Sequence, residues 1–378
     1  MNRVALIYDR ELWMGGVETH LLSLVKRIKS EQYTFFIISP ISENFQQKAE
    51  DFGAKIIPIQ RYKPLDLSNV VKMAHILRSE KIDLVHAHSP TAAIQGRLAA
   101  KIAGIPSIVT VHSPAIQYYG ERQTIKARSG RKIYITLDRF LNYTMTSALV
   151  YVSNQVFSLY LSEHWTPVDR SFVVQNGIDL GPYRSNPDRI KLRATFKIAP
   201  DLPVITYVGR LSNEKGVDTL LEAAATLKNV YQSKFKVWLI GTGEQEQELR
   251  SMVNDLNLQE DVDFLGQHEQ VTDFLLASDC FVLPSRQEAM SIAIIEAMAA
   301  GLPCVVTDVG DNAQIIHDGQ QGFVISQDSI DSLANILHKL ILDADLRQRL
   351  GTSAQLKAQD FSDVTMAEKI QQLYEQLI

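Results

Sequence analysis

Cysteine is scarce in this chain. Cys280 and Cys304 are its only two in 378 residues, too few for a disulfide framework. Both fall in apolar runs, DCFVLPS and PCVVTD, where a cysteine serves as a small buried hydrophobe rather than a reactive thiol. No apolar run reaches the roughly 18–20 residues needed to span a bilayer. The first residues, MNRVALIYDRELW, place Asp9 and Glu11 where a secretory signal needs an uninterrupted apolar segment. The expectation is a chain that faces the cytoplasm. Low-complexity tracts and short repeats are also missing.

What is present is the composition of a globular protein, 46% hydrophobic and 21% charged. A chain of 378 residues exceeds one ordinary core, so two domains of similar size are expected. The net charge of −5 conceals an asymmetry: residues 1–180 sum to +6 and residues 181–378 to −11. A basic half beside an acidic half implies different partners for the two. No nucleic-acid partner is expected.

Along the chain, short β-branched runs alternate with helical stretches. They are RVALIYD, YTFFIIS, AKIIPI, IDLVHAH, SIVTVH, ALVYVS and FVVQ, then VITYVGR, FKVWLIG, VDFLG, CFVLPS, PCVVTD and GFVI. Near-continuous apolar strands between helices imply parallel sheets covered on both faces. The Gly-, Pro-, Asn- and Asp-rich stretch NGIDLGPYRSNPD reads as a linker. The predicted architecture is α/β, with two doubly wound domains, 1–180 and 181–362, facing a cleft. A tail helix follows over 363–378. Ligands of such folds bind beyond the carboxyl ends of the strands, which directs attention to the loops there.

Glu288 and Glu296 stand eight residues apart in PSRQEAMSIAIIEAMAAGLPCVV. The first lies in a loop after a strand, the second inside the helix that the loop starts. Eight helical residues span at most about 12 Å. That spacing lets two carboxylates hold both ends of a nucleotide-sugar, with the helix N-terminus facing its pyrophosphate. The plainer alternative is a strand–helix unit with two solvated carboxylates. Arg210 and Lys215 in GRLSNEKG bracket a loop ending at a helix start, where two fixed cations can clamp a pyrophosphate; either alone is compatible with the surface. Gly15 and Gly16 precede the first helix and permit close backbone approach to a ligand, or form an ordinary loop. Gly241 and Gly243 give a GxG without a third glycine, read as a close-packed turn lining a nucleotide site. His112 ends a strand and can reach a cleft, or pack structurally; His86 and His88 share that position, and His20 and Glu18 read as structural. Residues 121–139 carry six basic and two acidic residues. Such a segment suits an anionic membrane surface or an acidic acceptor, or is a solvated helix.

Taken in order, GGVETH, HAHSP, TVHSP, VSN, NGID, GRLSNEKG, LIGTGEQ, FLGQ, the E-x7-E stretch with EAMAAGLPCVV, and TDVGDNAQII resemble glycosyltransferase family 4, retaining enzymes of the GT-B fold. The resemblance runs over almost the whole chain. It implies sugar transfer from a nucleotide-diphosphate-sugar to a hydroxyl acceptor with retention of configuration, with no cofactor and no metal. It assigns Arg210 and Lys215 to the donor pyrophosphate, Glu288 to donor-sugar hydroxyls, and Glu296 to the ribose. His112 would contact the sugar, and Gly15 and Gly16 would pack against the donor. Backbone N–H groups of Ala289, Met290, Ser291 and Ile292 would complete the donor site, although the family often has Gly and Phe in place of Ala289 and Met290. The tail helix would cross back onto the first domain. Nothing about the acceptor carries over, since the loop after His112 is divergent; a lipid-linked acceptor at the membrane is the expectation. Asp261–Asp263 resembles a metal-binding carboxylate pair of other glycosyltransferases, but follows a surface-like segment. The rival functions are a nucleotide-sugar epimerase of the same fold, needing acid/base residues within one domain and no acceptor, and a non-catalytic nucleotide-sugar binder.

Overall fold

The computed structural model describes residues 1–9, 15–40, 42–60, 66–113, 125–184 and 188–378, with backbone alone for 125–131. The chain divides into two units, Met1–Gly177 with Asp363–Ile378, and Ile178–Ser362. The first division thus falls at 177/178, slightly before the expected 180/181.

The first unit holds a parallel sheet of β1 (Asn2–Ile7), β2 (Tyr33–Ser39), β3 (Lys55–Pro58), β4 (Leu84–Ala87), β5 (Ser107–Val111), β6 (Ala148–Tyr151) and β7 (Ser171–Val173), in the order β3-β2-β1-β4-β5-β6-β7. Runs such as Leu84–Ala87 and Ala148–Tyr151 are buried at every position, as strands covered on both faces require. Helix ends follow local chemistry. Asp66 accepts from the N–H groups of Ser68 and Asn69 at the start of helix Leu67–Ser79. Ser89 caps helix Pro90–Ala103, which Gly104 ends in the left-handed conformation.

Helix Asp363–Leu377 belongs to this unit although it ends the chain. Its Met366, Ala367, Ile370, Leu373 and Tyr374 join the core of Leu6, Leu21, Leu24, Phe35 and Ile37. Two polar links fix its register. The buried Asp363 carboxylate accepts from Arg27 Nε at 2.8 Å, and the Tyr374 hydroxyl lies 2.7 Å from His86 Nδ1.

The second unit repeats the plan with β8 (Val204–Val208), β9 (Lys236–Ile240), β10 (Val262–Gly266), β11 (Cys280–Leu283), β12 (Cys304–Thr307) and β13 (Gly322–Ile325), all parallel, in the order β10-β9-β8-β11-β12-β13. Trp238 anchors its core against Phe196 and Phe274. Cys280 and Cys304 are buried on adjacent strands, and burial raises both thiols far above their ordinary range. Both are therefore inert, as their apolar surroundings in sequence imply.

In each sheet the order reverses about the first strand of the unit, between β1 and β4 and between β8 and β11. Loops leaving these neighbours run to opposite faces and open a crevice at the carboxyl ends. If the tail helix is part of the first unit's core, Ile370→Ala should cost about 2–5 kcal/mol. Thermal unfolding followed by circular dichroism checks this; an unchanged melting temperature would mean that the helix only rests on the surface.

Candidate functional site

At the reversal point of the second sheet, the loop after β8 carries Arg210 and Lys215, and the loop after β11 carries Glu288. The structure brings the last two together. Lys215 Nζ lies 2.5 Å from Glu288 Oε1, and Ser285 Oγ donates to the same oxygen at 2.9 Å. The Lys215 and Glu288 side chains retain only 18% and 8% of their exposure, so this ion pair is screened less than a surface pair. Gly216 makes the approach possible. Its φ is +63°, and a Cβ there would sit 2.2 Å from the Pro284 carbonyl oxygen. Arg210 is more exposed, and its nearest ionic partner is Glu214 at 3.5 Å.

Gly241 and Gly243 pack this loop from the far side. A Cβ on Gly241 would meet the Gly209 carbonyl oxygen at 1.9 Å, and one on Gly243 the Leu211 oxygen at 2.1 Å. Their observed role is close packing beneath the Arg210 loop. The loop also contains a buried hydroxyl, Ser212 Oγ, with no hydrogen-bond partner among the described residues.

Ala289 and Met290 are buried and lead into helix Ile292–Ala299. Ser291 occupies the N-cap position without a side-chain capping bond, so the first N–H groups beyond it, from Ile292 on, have no side-chain cap. Glu296 lies one turn further along. The residue is half-buried, and desolvation of its carboxyl raises the pKa to about 7, against a smaller opposing effect of the hydrogen bond with Tyr183. Tyr183, from the segment that follows the crossing at residue 178, is itself buried.

Arg286, which no spacing argument singled out, holds these loops in place. Its Nη atoms donate to both Asp218 carboxylate oxygens at 3.0 and 2.7 Å, its Nε to Asp328 at 2.7 Å, and Nη1 also to the Asn213 carbonyl at 2.9 Å. The signal available in sequence was an arginine two positions before Glu288. By contrast, Asp261 and Asp263 are engaged by Lys228 and Lys236 at 2.8 and 2.9 Å. They stand at the amino end of β10, the wrong end of the sheet for a ligand site. A cavity of about 840 Å³ also opens at the amino ends of β11 and β12, lined by Leu180, Arg184, Asp279, Pro303, Arg347 and Gln355. None of the predicted site residues lines it.

The first unit has its own constellation at the reversal point of its sheet. Gly15 and Gly16 are exposed at the start of helix Gly16–Arg27, again without a side-chain cap. His20 projects from this helix, His88 follows β4, and His112 follows β5. Ring centres of His20, His88 and His112 are 4.9–5.6 Å apart, and His88 Nδ1 lies 3.3 Å from His112 Nε2. His86 is bonded at both nitrogens, to Tyr374 and Thr110, each at 2.7 Å. Burial depresses the His20 pKa to about 4 and holds His86, His88 and His112 well below the usual histidine range. The four rings are thus neutral at neutral pH. Sequence spacing placed His112 at a strand end but did not reveal that His20 and His88 surround it.

Two parallel α/β units with alternating helices are the fold of the GT-B class, to which the similar solved structures belong. HepE of Anabaena, solved in complex with UDP-glucose, superposes with a TM-score of 0.86 over 99% of this chain and all of its own, at 22% identity. WaaG, a glycosyltransferase involved in lipopolysaccharide biosynthesis, gives 0.81 over 97% and 98% at 19% identity. Residues 14–181 match "Glycosyltransferase Family 4" and residues 188–357 "Glycosyl transferases group 1". Among sequence relatives, the UDP-Gal:alpha-D-GlcNAc-diphosphoundecaprenol alpha-1,3-galactosyltransferase of Escherichia coli is 28% identical over 96% of this chain and 94% of its own. The N-acetyl-alpha-D-glucosaminyl L-malate synthase of Bacillus anthracis is 26% identical over 83% and 79%. The chain belongs to glycosyltransferase family 4 and is a glycosyltransferase.

The raised pKa of Glu296 has a signed consequence. The folded state keeps this proton to about pH 7, while the unfolded chain releases it near the ordinary ~4.3. Stability is lost as pH rises through that window, because the native state binds more protons there. Glu296→Gln should therefore stabilise the protein by about 1–3 kcal/mol at pH 8 and by little at pH 4. Urea unfolding at both pH values measures it, and equal effects at the two would refute the assignment.

Proposed function

We propose that this glycosyltransferase moves a sugar from a nucleoside-diphosphate-sugar to an acceptor hydroxyl, with retention of anomeric configuration and without a metal. The observation that carries this reading is the Lys215–Glu288 pair beside the open start of helix Ile292–Ala299. A cation, a carboxylate and free N–H groups in one crevice match a ligand with a diphosphate next to sugar hydroxyls. HepE, whose structure was solved with UDP-glucose, and the Escherichia coli relative, named for UDP-Gal, support the donor class.

In this proposal Lys215, Arg210 and the N–H groups near Ser291 take up the charge that grows on the departing diphosphate. Lys215 exchanges part of its contact with Glu288 for phosphate oxygen. Glu288 then accepts from sugar hydroxyls, Glu296 from the ribose, and His112 contacts the sugar. The anomeric C–O bond to phosphate breaks, and the acceptor oxygen bonds to the same face. The acceptor proton passes to the leaving phosphate oxygen, so no protein nucleophile is required. Two fixed cations supply the charge that a metal would otherwise bring. Backbone N–H groups of Ala289, Met290 and Ile292, together with Gly15 and Gly16, complete the donor site.

The acceptor is proposed to be lipid-linked, in the synthesis of a cell-surface polysaccharide or glycolipid. The Escherichia coli relative's name contains a diphosphoundecaprenol acceptor. No helix of the described residues is long and apolar enough to cross a membrane, so contact would be peripheral. The basic segment 121–139 is the proposed docking element. Residues 121–124 lie outside the described residues, as do the side chains of Arg128 and Arg131. In the described part of helix Ile125–Thr144, Ile133 and Phe140 are 59% and 56% exposed, beside exposed Lys132 and Arg139. Exposed apolar groups flanked by cations suit an anionic leaflet, where each Lys or Arg contributes ~1 kcal/mol.

Lys215→Ala should lower kcat by about 10²–10³ while leaving the fold intact, and wild-type activity should survive excess EDTA. Full activity in the variant would remove the diphosphate role, and loss with EDTA restored by Mn²⁺ would remove the metal-free mechanism. Liposome sedimentation should show more binding to anionic than to neutral vesicles, weakened by salt and by Ser at Arg128, Arg131 and Lys132. Equal recovery in the supernatant with every vesicle would refute peripheral docking.

A further inference from the structure

We propose that His20, His88 and His112 form a three-imidazole site for a borderline-soft divalent transition-metal ion of the Zn²⁺ type, with a fourth position open to water or a ligand oxygen. One nitrogen from each ring can be chosen so that all three lie within 4.8 Å of one another. Bonds of 2.0–2.1 Å in a tetrahedral site place ligand nitrogens ~3.4 Å apart and ring centres about 5 Å apart. The centres here are 4.9, 5.4 and 5.6 Å apart, and one nitrogen pair, His88 Nδ1 and His112 Nε2, is already at 3.3 Å. Binding requires the rings to rotate until nitrogens now up to 4.8 Å apart close on the ion.

The surroundings supply the outer features of such a site. His20 Nδ1 lies 3.1 Å from Asn176 Oδ1. That oxygen only accepts, so Nδ1 carries the proton and Nε2 presents its lone pair. His20 Nε2 is buried with no hydrogen-bond partner among the described residues. A buried polar atom left without a partner calls for a water or an ion, and an N–H donated to a carbonyl is the usual arrangement behind a metal-bound histidine. The all-nitrogen donor set selects Zn²⁺-like ions over Mg²⁺, Ca²⁺ or Mn²⁺, which prefer oxygen. The three histidines belong to the first unit and the Lys215–Glu288 pair to the second, so such an ion does not replace the cations proposed for the diphosphate. An ion there would occupy the His112 ring that the proposed mechanism turns to the sugar. Zn²⁺ is thereby an inhibitor, and chelation leaves sugar transfer intact.

Titration of the metal-stripped full chain with Zn²⁺ by calorimetry, and with Co²⁺ by visible absorption, tests the site without an activity assay. The expected result is one ion per chain and the intense bands of four-coordinate Co²⁺. Both should be lost in His20→Ala and His112→Ala, and affinity should fall by about 10–100-fold in Asn176→Ala. His112 is the least buried of the three rings, so its variant decides the matter if His20→Ala fails to fold. Absence of stoichiometric binding, or binding unchanged in folded His112→Ala, would overturn the proposal and leave water as the partner of these nitrogens.

Discussion

The second unit depends on one close approach, that of the loop after β8 to the loop after β11. Gly216 lies against the Pro284 carbonyl with no room for a side chain. Backbone N–H groups of Arg286 and Gln287 donate to the Glu214 carbonyl at 2.8 and 3.2 Å. On this frame Lys215 meets Glu288, and Arg286 ties Asp218 and Asp328 to the same place. A nearly buried cation is stable only with a compensating charge. Glu288 provides that charge while leaving the lysine poised to meet a stronger anion. The glycines of the GxG turn let the backbone around Arg210 lie directly against them, where any side chain would collide with the Gly209 and Leu211 carbonyls.

The two units solve the electrostatics of their strand ends differently. The second gathers charged groups and an uncapped helix start. The first gathers histidines whose burial keeps them neutral. The tail helix bears on the latter directly, because Tyr374 fixes His86 next to His88, with ring centres 4.1 Å apart. A C-terminal element is thus wired into the polar end of the first sheet, which gives its return to that unit a role beyond covering apolar surface.

Much of this was legible in sequence because it is local. Apolar runs such as YTFFIIS and CFVL became strands at those positions, and Glu288 and Glu296, read as one carboxylate in a loop and one inside the helix it starts, stand before and within helix Ile292–Ala299. The alternation of strands and helices carried the parallel topology. What escaped is long-range. His20 meets Asn176 across 156 positions, and Arg286 reaches Asp218 across 68; no periodicity encodes such pairs. The tail helix was expected to return to the first domain from the family resemblance, whereas its own amphipathic pattern says only that one face must be covered.

The most direct test of this account is a crystal structure of the protein with a nucleoside-diphosphate-sugar, chosen by a thermal-shift screen across nucleotide bases. The account predicts diphosphate oxygens at Lys215 and Arg210 and at the N–H groups after Ser291, sugar hydroxyls on Glu288, and the ribose on Glu296. A donor bound elsewhere, with the Lys215–Glu288 pair untouched and the helix start facing only solvent, would contradict it.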